Sequence, residues 1–219
     1  MATTSMATTS MARHPSAKHQ GIPPDRVDAR LIGIATEHVR QFGPGKMTVV
    51  AVAEAAGMTH ANVYRYFPSK EALIDAVVAE ALRPIEAVIA DVASAPDPAD
   101  DKLERLVLDL ARLYRSLMEQ NAAVFHLFVT ATLESRAVTR RHRGRIRMLV
   151  ERVVDEGIAT GAFEPRDREG ALSFLTDVLY RFTHPSAILA DTRVPRDVLD
   201  RRLAAVVRVA LRALSVGLI

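Results

Sequence analysis

Three polar side chains of the types that read nucleic-acid bases lie within six residues of one another, at His60, Asn62 and Arg65. An asparagine amide can bond adenine bidentately, an arginine guanidinium can bond O6 and N7 of guanine, and a histidine can bond a base edge or a phosphate. The chemistry available to this segment is therefore recognition by hydrogen bonds. It requires a short, rigid element that turns these side chains outward.

The surrounding residues predict two short helices joined by a tight turn. The first helix has one apolar face, because its apolar residues recur at helical spacing: Val49, Val52, Ala53 and Ala56. Gly57 follows where a helix end favours left-handed backbone, and Thr59 is placed to cap the next helix. Val63 and Phe67 lie four residues apart and can face inward together. This is helix-turn-helix geometry, in which the second helix enters the DNA major groove.

A longer pattern of residue types at fixed spacing runs through the same segment. It consists of Thr48, the turn Ala55-Ala56-Gly57-Met58-Thr59, and the run Tyr64-Arg65-Tyr66-Phe67-Pro68-Ser69-Lys70-Glu71-Ala72-Leu73. This pattern resembles the TetR family of bacterial repressors, and the resemblance covers roughly residues 25–75. Ala61 replaces a frequent glycine and Val63 a frequent leucine; both changes are small and leave the operator sequence open.

The resemblance implies which residues face DNA. On and just before the second helix they are Thr59, His60, Ala61, Asn62, Tyr64, Arg65 and Tyr66. Thr48, at the head of its helix, is expected to bind a phosphate, and Lys70 to supply a point charge. Tyr64 and Tyr66 are expected to reach phosphates; for Tyr66, packing beside Phe67 is the alternative.

The composition indicates an all-α protein. The chain has 219 residues, of which 49% are hydrophobic and 5% aromatic, with 10 glycines and no run of strict alternation. The absence of cysteine excludes disulfides, thiolate metal sites and cysteine nucleophiles, and fits a reducing cytosol. No apolar run reaches membrane-spanning length. We therefore expect a cytoplasmic protein with no membrane partner.

Charge alone says little about partners. The net charge of +3 and pI near 9.5 suggest nucleic acid only weakly, and basic and acidic residues balance within residues 25–75. Placement is more informative, because Lys46, Arg65 and Lys70 fall at helix ends or on the second helix of the motif. Gly45-Lys46 does not form a phosphate loop, since Met47 stands where serine or threonine is required.

The chain divides into three predicted parts. Residues 1–24 begin with a repeated five-residue unit, Met-Ala-Thr-Thr-Ser, and are expected to form a disordered tail; a duplication introduced in cloning is the alternative for the repeat. Residues 25–75 form the three-helix head. Residues 76–219 form a larger helical body, giving about nine or ten helices in all. The resemblance implies that this body binds a small molecule and dimerises through its last two helices, at about 167–190 and 196–216.

Several boundaries follow from the pattern. A helix opened by Ser69 should run to about Leu82, and Pro84 predicts a kink near Ala81–Arg83 or a break. Residues 94–101 read as a loop. Residues 122–133 are apolar nearly all round, which predicts a central helix, and residues 136–160 predict a long arginine-rich one. His184-Pro185 indicates a bend in the helix expected at 167–190.

Polar residues on apolar body segments are candidates for a ligand pocket that combines apolar walls with a few polar groups. Each such residue alone is more often a group in the core or at an interface whose hydrogen bonds are made within the protein. The predicted lining is Tyr114, Met118, Phe125, His126, Phe128, Thr130, Asp177 and Tyr180. Asp177 and Arg181 lie four apart and can instead bond each other. No ligand spacing supports a metal site at His126, Asp177 and His184, and no cofactor is expected.

The arginine-rich segment has two interpretations. Its members are Arg136, Arg140, Arg141, Arg143, Arg145, Arg147 and Arg152. A solvated helix face is the simpler interpretation, and an acidic ligand or partner is the other. The seven residues span more than one helix face, so they cannot all line one pocket.

These observations predict a ligand-responsive DNA-binding transcriptional regulator. It would be a homodimer on a near-palindromic operator, released by an unknown small molecule, and repression is the usual sign in the family it resembles. No nucleophile with its base and no cofactor loop appears, so we do not expect an enzyme. The alternatives are a helical small-molecule carrier and a protein-interaction module, each with an inert head. Pro84, between head and body, is predicted to shape the coupling of ligand to DNA.

Overall fold

The computed structural model describes residues 24–219, and from residue 27 onward it describes the side chains. Its ten α-helices are α1 (Pro24–Phe42), α2 (Val49–Ala55), α3 (His60–Tyr66), α4 (Lys70–Ser94), α5 (Ala99–Gln120), α6 (Ala122–Leu133), α7 (Ala137–Thr160), α8 (Arg168–Thr183), α9 (Pro185–Ala190) and α10 (Arg196–Ser215). A short 3-10 helix, Pro44–Lys46, joins α1 to α2. The described part contains no strand, which confirms the all-α prediction. The predicted disordered tail, apart from its last residue, lies outside the described residues.

Side-chain oxygens at the starts of five helices bond N–H groups that have no partner inside the helix. The capping residues are Thr48 (α2), Thr59 (α3), Ser69 (α4), Asn121 (α6) and Asp167 (α8). Each such cap contributes about 1 kcal/mol and marks where its helix begins. The sequence predicted the caps at Thr59 and Ser69, and both are confirmed.

Helices α1 to α3 and the first turns of α4 form the head. Leu31 and Val39 of α1, Val52 of α2 and Val63 of α3 are all fully buried in one apolar core. Leu73 brings the start of α4 into the same core. The three-helix head therefore agrees with the prediction, and its short helices are stabilised chiefly by this shared apolar contact.

Helix α4 is a single helix that runs from the head into the body. It continues without interruption to Ser94, so the prediction that it ends near Leu82 was wrong, and the break at Pro84 does not occur. A proline removes one hydrogen bond and costs about 3 kcal/mol inside a helix. Burial of Leu82, Ile85 and Ile89 on one face of α4 offsets this cost. The alternative of a kink stays a prediction.

The body packs around α6, as its apolar sequence predicted. Phe125 of α6 is completely buried, and α6 contacts α1, α4, α5, α7 and α9. Lys102, at the start of α5, is also buried, and its Nζ lies 2.5 Å from both carboxylate oxygens of Glu156 on α7. The interhelical loop is shorter than the predicted 94–101, because α5 begins at Ala99.

The C-terminal helices differ in one respect from the prediction. The helix expected at 167–190 is divided into α8 and α9 at His184, the residue before Pro185. The bend predicted there is confirmed. Its cause is that the residue before a proline avoids the helical backbone conformation. Helix α10 agrees with the range 196–216. Within residues 24–219, no helix is both long enough and apolar enough to cross a bilayer.

Candidate DNA-binding surface and body cavity

Helix α3 presents its polar side chains outward and its apolar ones inward. Val63 is fully buried, and Phe67, the residue that ends α3, is nearly so. His60, Asn62 and Arg65 are exposed. The exposed row carries amide, imidazole and guanidinium groups, so it has the donors and acceptors that base edges require.

The turn before α3 is held by several independent contacts. Gly57 has a φ of +63°, the left-handed conformation that the sequence predicted. The Met58 N–H donates to the Ala53 carbonyl at 2.9 Å, and the Arg30 guanidinium of α1 donates to the Ala56 carbonyl at 2.9 Å. Two carbonyls at the end of α2 are thus satisfied, and the turn before α3 is tied to α1.

Hydroxyl and ammonium groups lie at the starts of α2, α3 and α4. The Thr48 hydroxyl accepts from Ala51 N at 3.1 Å, and the Thr59 hydroxyl accepts from Asn62 N at 3.3 Å. A hydroxyl that accepts a bond keeps its own proton to donate, so both caps can still bind a phosphate oxygen. Lys70 is the first residue of α4, next to the cap Ser69.

Ion pairs in the head leave the cations around α3 unmatched. The Glu37 carboxylate bonds Arg40 at 2.9 Å, and Asp75 pairs with Arg136 of the body at 2.9 Å. Among residues 27–219, neither Arg65 nor Lys70 has an ion pair. Two of the head's acidic groups are therefore matched elsewhere, while the positive charge beside α3 remains available to an anionic partner.

A cavity of about 500 Å³ lies in the body, between α5, α6, α7 and α8. Its inner wall is apolar and includes Leu106, Leu110, Phe128, Ile146, Leu175 and Leu179. Its polar lining groups differ in burial: Tyr114 and His142 are buried and define the inner end, whereas Arg143 and Asp177 are exposed and His184 is half-buried, which defines the outer part. This volume is within the range of pockets that enclose a small organic molecule.

A chain of hydrogen bonds leads from the inner end of the cavity to α4. The Tyr114 hydroxyl lies 2.6 Å from His142 Nε2, and His142 Nδ1 lies 2.7 Å from the Glu86 carboxylate, which also pairs with Arg145. Since a carboxylate only accepts, Nδ1–H of His142 donates to Glu86, and Nε2 accepts from the Tyr114 O–H.

Burial and neighbouring charges fix the protonation states in this chain. Burial raises the pKa of Tyr114, and the Glu86 charge raises it further. Burial lowers the pKa of His142, although its bond to Glu86 acts in the opposite direction. Burial alone would raise the pKa of Glu86, but hydrogen bonds from His142 and Arg145 bring it below its usual range. At neutral pH the chain therefore consists of a phenol, a neutral imidazole and a carboxylate.

Arg136 joins the body to the head. Its guanidinium lies 2.9 Å from the Asp75 carboxylate and donates to the Glu71 carbonyl at 2.7 Å. Arg136 immediately precedes α7, and Ser135 before it has a φ of +50°. The junction between α6 and α7 is thus fixed to the first turns of α4, next to the flank of α3.

Family comparisons agree with this arrangement of head and body. Residues 31–77 match the model for bacterial regulatory proteins of the tetR family, and residues 99–207 match the model for the tetracyclin repressor-like C-terminal domain. The chain belongs to the TetR family. No match was found among curated proteins.

Solved structures, two of them of TetR-family regulators, share the fold. A regulator from Mesorhizobium loti is 20% identical with a TM-score of 0.65, over 88% of this chain and 98% of that one. One from Thermobifida fusca is 22% identical with a TM-score of 0.62, over 85% and 97%. RolR in complex with resorcinol is 19% identical with a TM-score of 0.58, over 89% and 95%. At these identities the likeness concerns the fold.

The predicted DNA-facing residues of this TetR-family chain lie on α3 and at the starts of three helices of the head. Ala61 and Tyr64 are exposed beside the row described above. Tyr66 is only half-exposed and packs against the head core, as the alternative interpretation of it proposed. Thr48, Thr59 and Lys70 lie at the starts of α2, α3 and α4.

The structure brings together four of the eight residues predicted to line a pocket. Tyr114, Phe128, Asp177 and Tyr180 line the cavity. The other four do not: Met118 and Phe125 are buried elsewhere in the core, and His126 and Thr130 are exposed on α6. Because α6 is apolar nearly all round, its sequence does not indicate which side faces the cavity. In the structure only Phe128 and Thr132 of this helix line the cavity.

Two further pairings differ from expectation. Arg181 bonds Asp191 at 2.7 Å rather than Asp177, which leaves Asp177 on the cavity lining. His126 lies away from Asp177 and His184, with its Nδ1 2.8 Å from the Ala122 carbonyl. Across residues 27–219 no group of three or more ligating side chains is placed to hold a metal ion.

The cavity residues of α7 were not among those predicted from the sequence. Arg140, Arg143, Arg147 and His142 all line the cavity. Their signal was available, because positions 140, 143 and 147 fall on one helical face. Three of the other four arginines bond elsewhere: Arg136 to Asp75, Arg145 to Glu86 and Arg152 to Ser94. The fourth, Arg141, is exposed and lies off the lining. The statement that all seven cannot line one pocket therefore holds, although three of them do.

Proposed function

We propose that this TetR-family chain is a ligand-responsive transcriptional repressor that binds a near-palindromic DNA operator as a homodimer. The observation that carries the proposal is the exposed row His60, Asn62 and Arg65 on a helix whose cap, turn and inner face are all fixed. Base recognition requires the row to be held in place before binding. A mobile helix would have to become ordered on the DNA, and that loss of conformational entropy would weaken the affinity.

Phosphate contacts surround the base-reading row in this proposal. Thr48, Thr59, Tyr64 and Lys70 fix the register on the DNA backbone, with Tyr66 supporting the head from its half-buried position. Ala61 faces the groove as a small apolar contact, suited to a thymine methyl. The DNA-binding unit is residues 25–75, and residues 76–219 are the ligand-binding and dimerisation unit.

The dimer is proposed to form through α8 and α10. Tyr180 of α8 and Val209 of α10 are large hydrophobic side chains that are 51% and 66% exposed in the single chain. A second copy packed on this pair of helices would cover them, as an isologous interface. Two α3 helices would then read half-sites roughly 34–36 Å apart on the DNA. Such a protein acts in the cytoplasm, without an enzymatic activity or a cofactor of its own.

Ligand coupling is proposed to run through α4. This one helix carries Lys70 at the DNA surface and Glu86 at the inner end of the cavity, roughly 24 Å apart along its axis. A molecule that disturbs the Tyr114–His142–Glu86 bonds acts on the helix that positions the head. The ligand can change the free energy of DNA binding by at most the difference between its binding free energies to the DNA-bound and the released conformations. The solved complex of RolR with resorcinol supports the idea that a body of this fold can hold a small molecule.

Selection from a pool of random DNA duplexes, followed by gel shift and analytical ultracentrifugation, tests the proposal. We expect an enriched sequence with two inverted half-sites, bound by a dimer, with an affinity that falls steeply as salt rises. A monomer that shows no preference among duplexes at low salt would overturn it. Ligand binding without DNA binding would instead identify a helical small-molecule carrier.

A further inference from the structure

The outer part of the cavity has an excess of positive charge. Arg140, Arg143 and Arg147 line it on one face of α7, whereas Asp177 is the only carboxylate on the lining among the described residues. Arg147 bonds Glu151 at 2.6 Å, and Arg140 donates to the Ser135 carbonyl. Within residues 27–219, Arg143 has neither an ion pair nor a side-chain hydrogen bond. Its guanidinium is the group that remains available to a bound anion.

His184 provides a second polar group beside Arg143. Its Nδ1 is buried and has no hydrogen-bond partner among the described residues, and its ring stacks on Tyr180 with centroids 4.5 Å apart. Burial lowers the pKa of His184, and the nearby charge of Arg143 lowers it further, so the imidazole is neutral at pH 7. A buried polar atom without a partner is costly, and a bound molecule can supply the missing bond.

The rest of the cavity suits an apolar body. Its inner wall consists of aliphatic side chains with Phe128. At the inner end, the Tyr114 proton is already committed to His142, so the phenol oxygen offers no free donor there. A second charged group would be buried without a partner at that end. The fitting molecule therefore carries its charge at one end only.

We propose that the cavity binds an amphipathic organic carboxylate, with its apolar body among Leu110, Phe128 and Leu175 and its carboxylate on the Arg143 guanidinium beside His184. A guanidinium presents two parallel N–H donors that match the two oxygens of a carboxylate. The inference names the ligand class of the cavity assigned above, and its role as an effector rests on the proposed function.

Three probes with the same eight-carbon chain test the inference on the full chain without DNA: octanoate, octan-1-ol and octylamine, which is protonated at pH 7. By calorimetric titration, octanoate should bind about tenfold more tightly than octan-1-ol, because a charge-assisted pair is added to the same apolar contact, and octylamine should bind most weakly.

Two variants and one control locate the binding. Arg143→Gln should remove the preference for octanoate and leave octan-1-ol unchanged, whereas Arg141→Gln, an exposed neighbour off the lining, should keep it. Gly144→Phe places a ring on the lining, where a Cβ meets no atom within 4 Å, and should abolish binding of both probes. Thermal melting confirms that each variant is folded.

Other outcomes contradict the inference. Equal affinities for octanoate and octan-1-ol, preference for octylamine, no octanoate binding at millimolar concentration, or octanoate binding that survives Gly144→Phe would each overturn it. DNA binding is measured separately on the same protein. A chain that selects an operator but ignores octanoate refutes the ligand class alone, and one that binds octanoate but no duplex refutes the proposed function alone.

Discussion

The head and the body cavity are built in opposite ways. The head places its outward row on one helix of seven residues, and the cap, turn and apolar contacts that hold this helix lie between Arg30 and Phe67. The cavity is lined by four consecutive long helices, so its lining spans a much longer stretch of chain, from Leu106 on α5 to His184 after α8. Local spacing therefore defines the head, whereas tertiary packing defines the cavity.

The largest expected effect separates core from cavity on α6. Phe125→Ala should lower the free energy of unfolding by about 3–5 kcal/mol, because it empties a completely buried site. His126→Ala, at the adjacent exposed position, should change it by less than about 0.5 kcal/mol. Urea titration measures both. Similar losses for the two variants would show that this helix is oriented differently about its axis.

Base reading in the head is the next largest effect. Arg65→Ala should weaken binding to the selected operator by about 1–3 kcal/mol and relax base preference at one position. Lys70→Ala should weaken all duplexes about equally and lower the salt slope by about 1. Competition binding against the operator and scrambled duplexes distinguishes the two. If Arg65→Ala acted uniformly and Lys70→Ala selectively, the proposed roles would be reversed.

The junction of the two regions should give a smaller effect. Arg136 and Asp75 pair across it with both side chains partly exposed, so solvent weakens the pair. A double-mutant cycle with Arg136→Gln and Asp75→Asn should give a coupling energy of about 1 kcal/mol or less in unfolding. The exposed pair Arg201–Asp197 on α10 is the control and should give less. A larger coupling on α10 would contradict the assignment of Arg136 as the tie between body and head.

The smallest effect concerns Pro84. Its replacement by alanine restores one donor in α4 and should change the carboxylate concentration that releases DNA by a few-fold, with a smaller change in operator affinity. Gel shift at increasing octanoate measures this. An unchanged DNA affinity together with an unchanged ligand response would reject a role for Pro84 in coupling. Ala87→Gly, an exposed change one turn later, controls for helix stability.

The sequence predicted the head well because its determinants are short-range. A glycine at the end of α2, a threonine cap and an inward valine each act within a few residues, so their consequences can be derived from spacing. The continuity of α4 could not be derived, because burial of Ile85 and Ile89 depends on helices that come later in the chain. Tertiary contact overrides local propensity there.

The cavity was only partly predictable for the same reason. Tyr114 and Phe128 were identified as polar or aromatic groups on apolar helices, but His126 was expected to line the pocket and instead faces solvent. Whether His126 or His142 lines the cavity depends on the rotation of α6 and α7 about their own axes. That rotation is set by packing against α4 and α5, which periodicity within one helix does not contain.

The burial of Lys102 limits where amine chemistry can reach. The sequence has a single lysine in residues 76–219, which is Lys102. Its ε-amine is buried and paired with the Glu156 carboxylate. Within residues 27–219, a succinimidyl dye at moderate pH would consequently mark Lys46 and Lys70 of the head. A footprint taken with such a reagent would report on the DNA side of the molecule while leaving the ligand side unmodified.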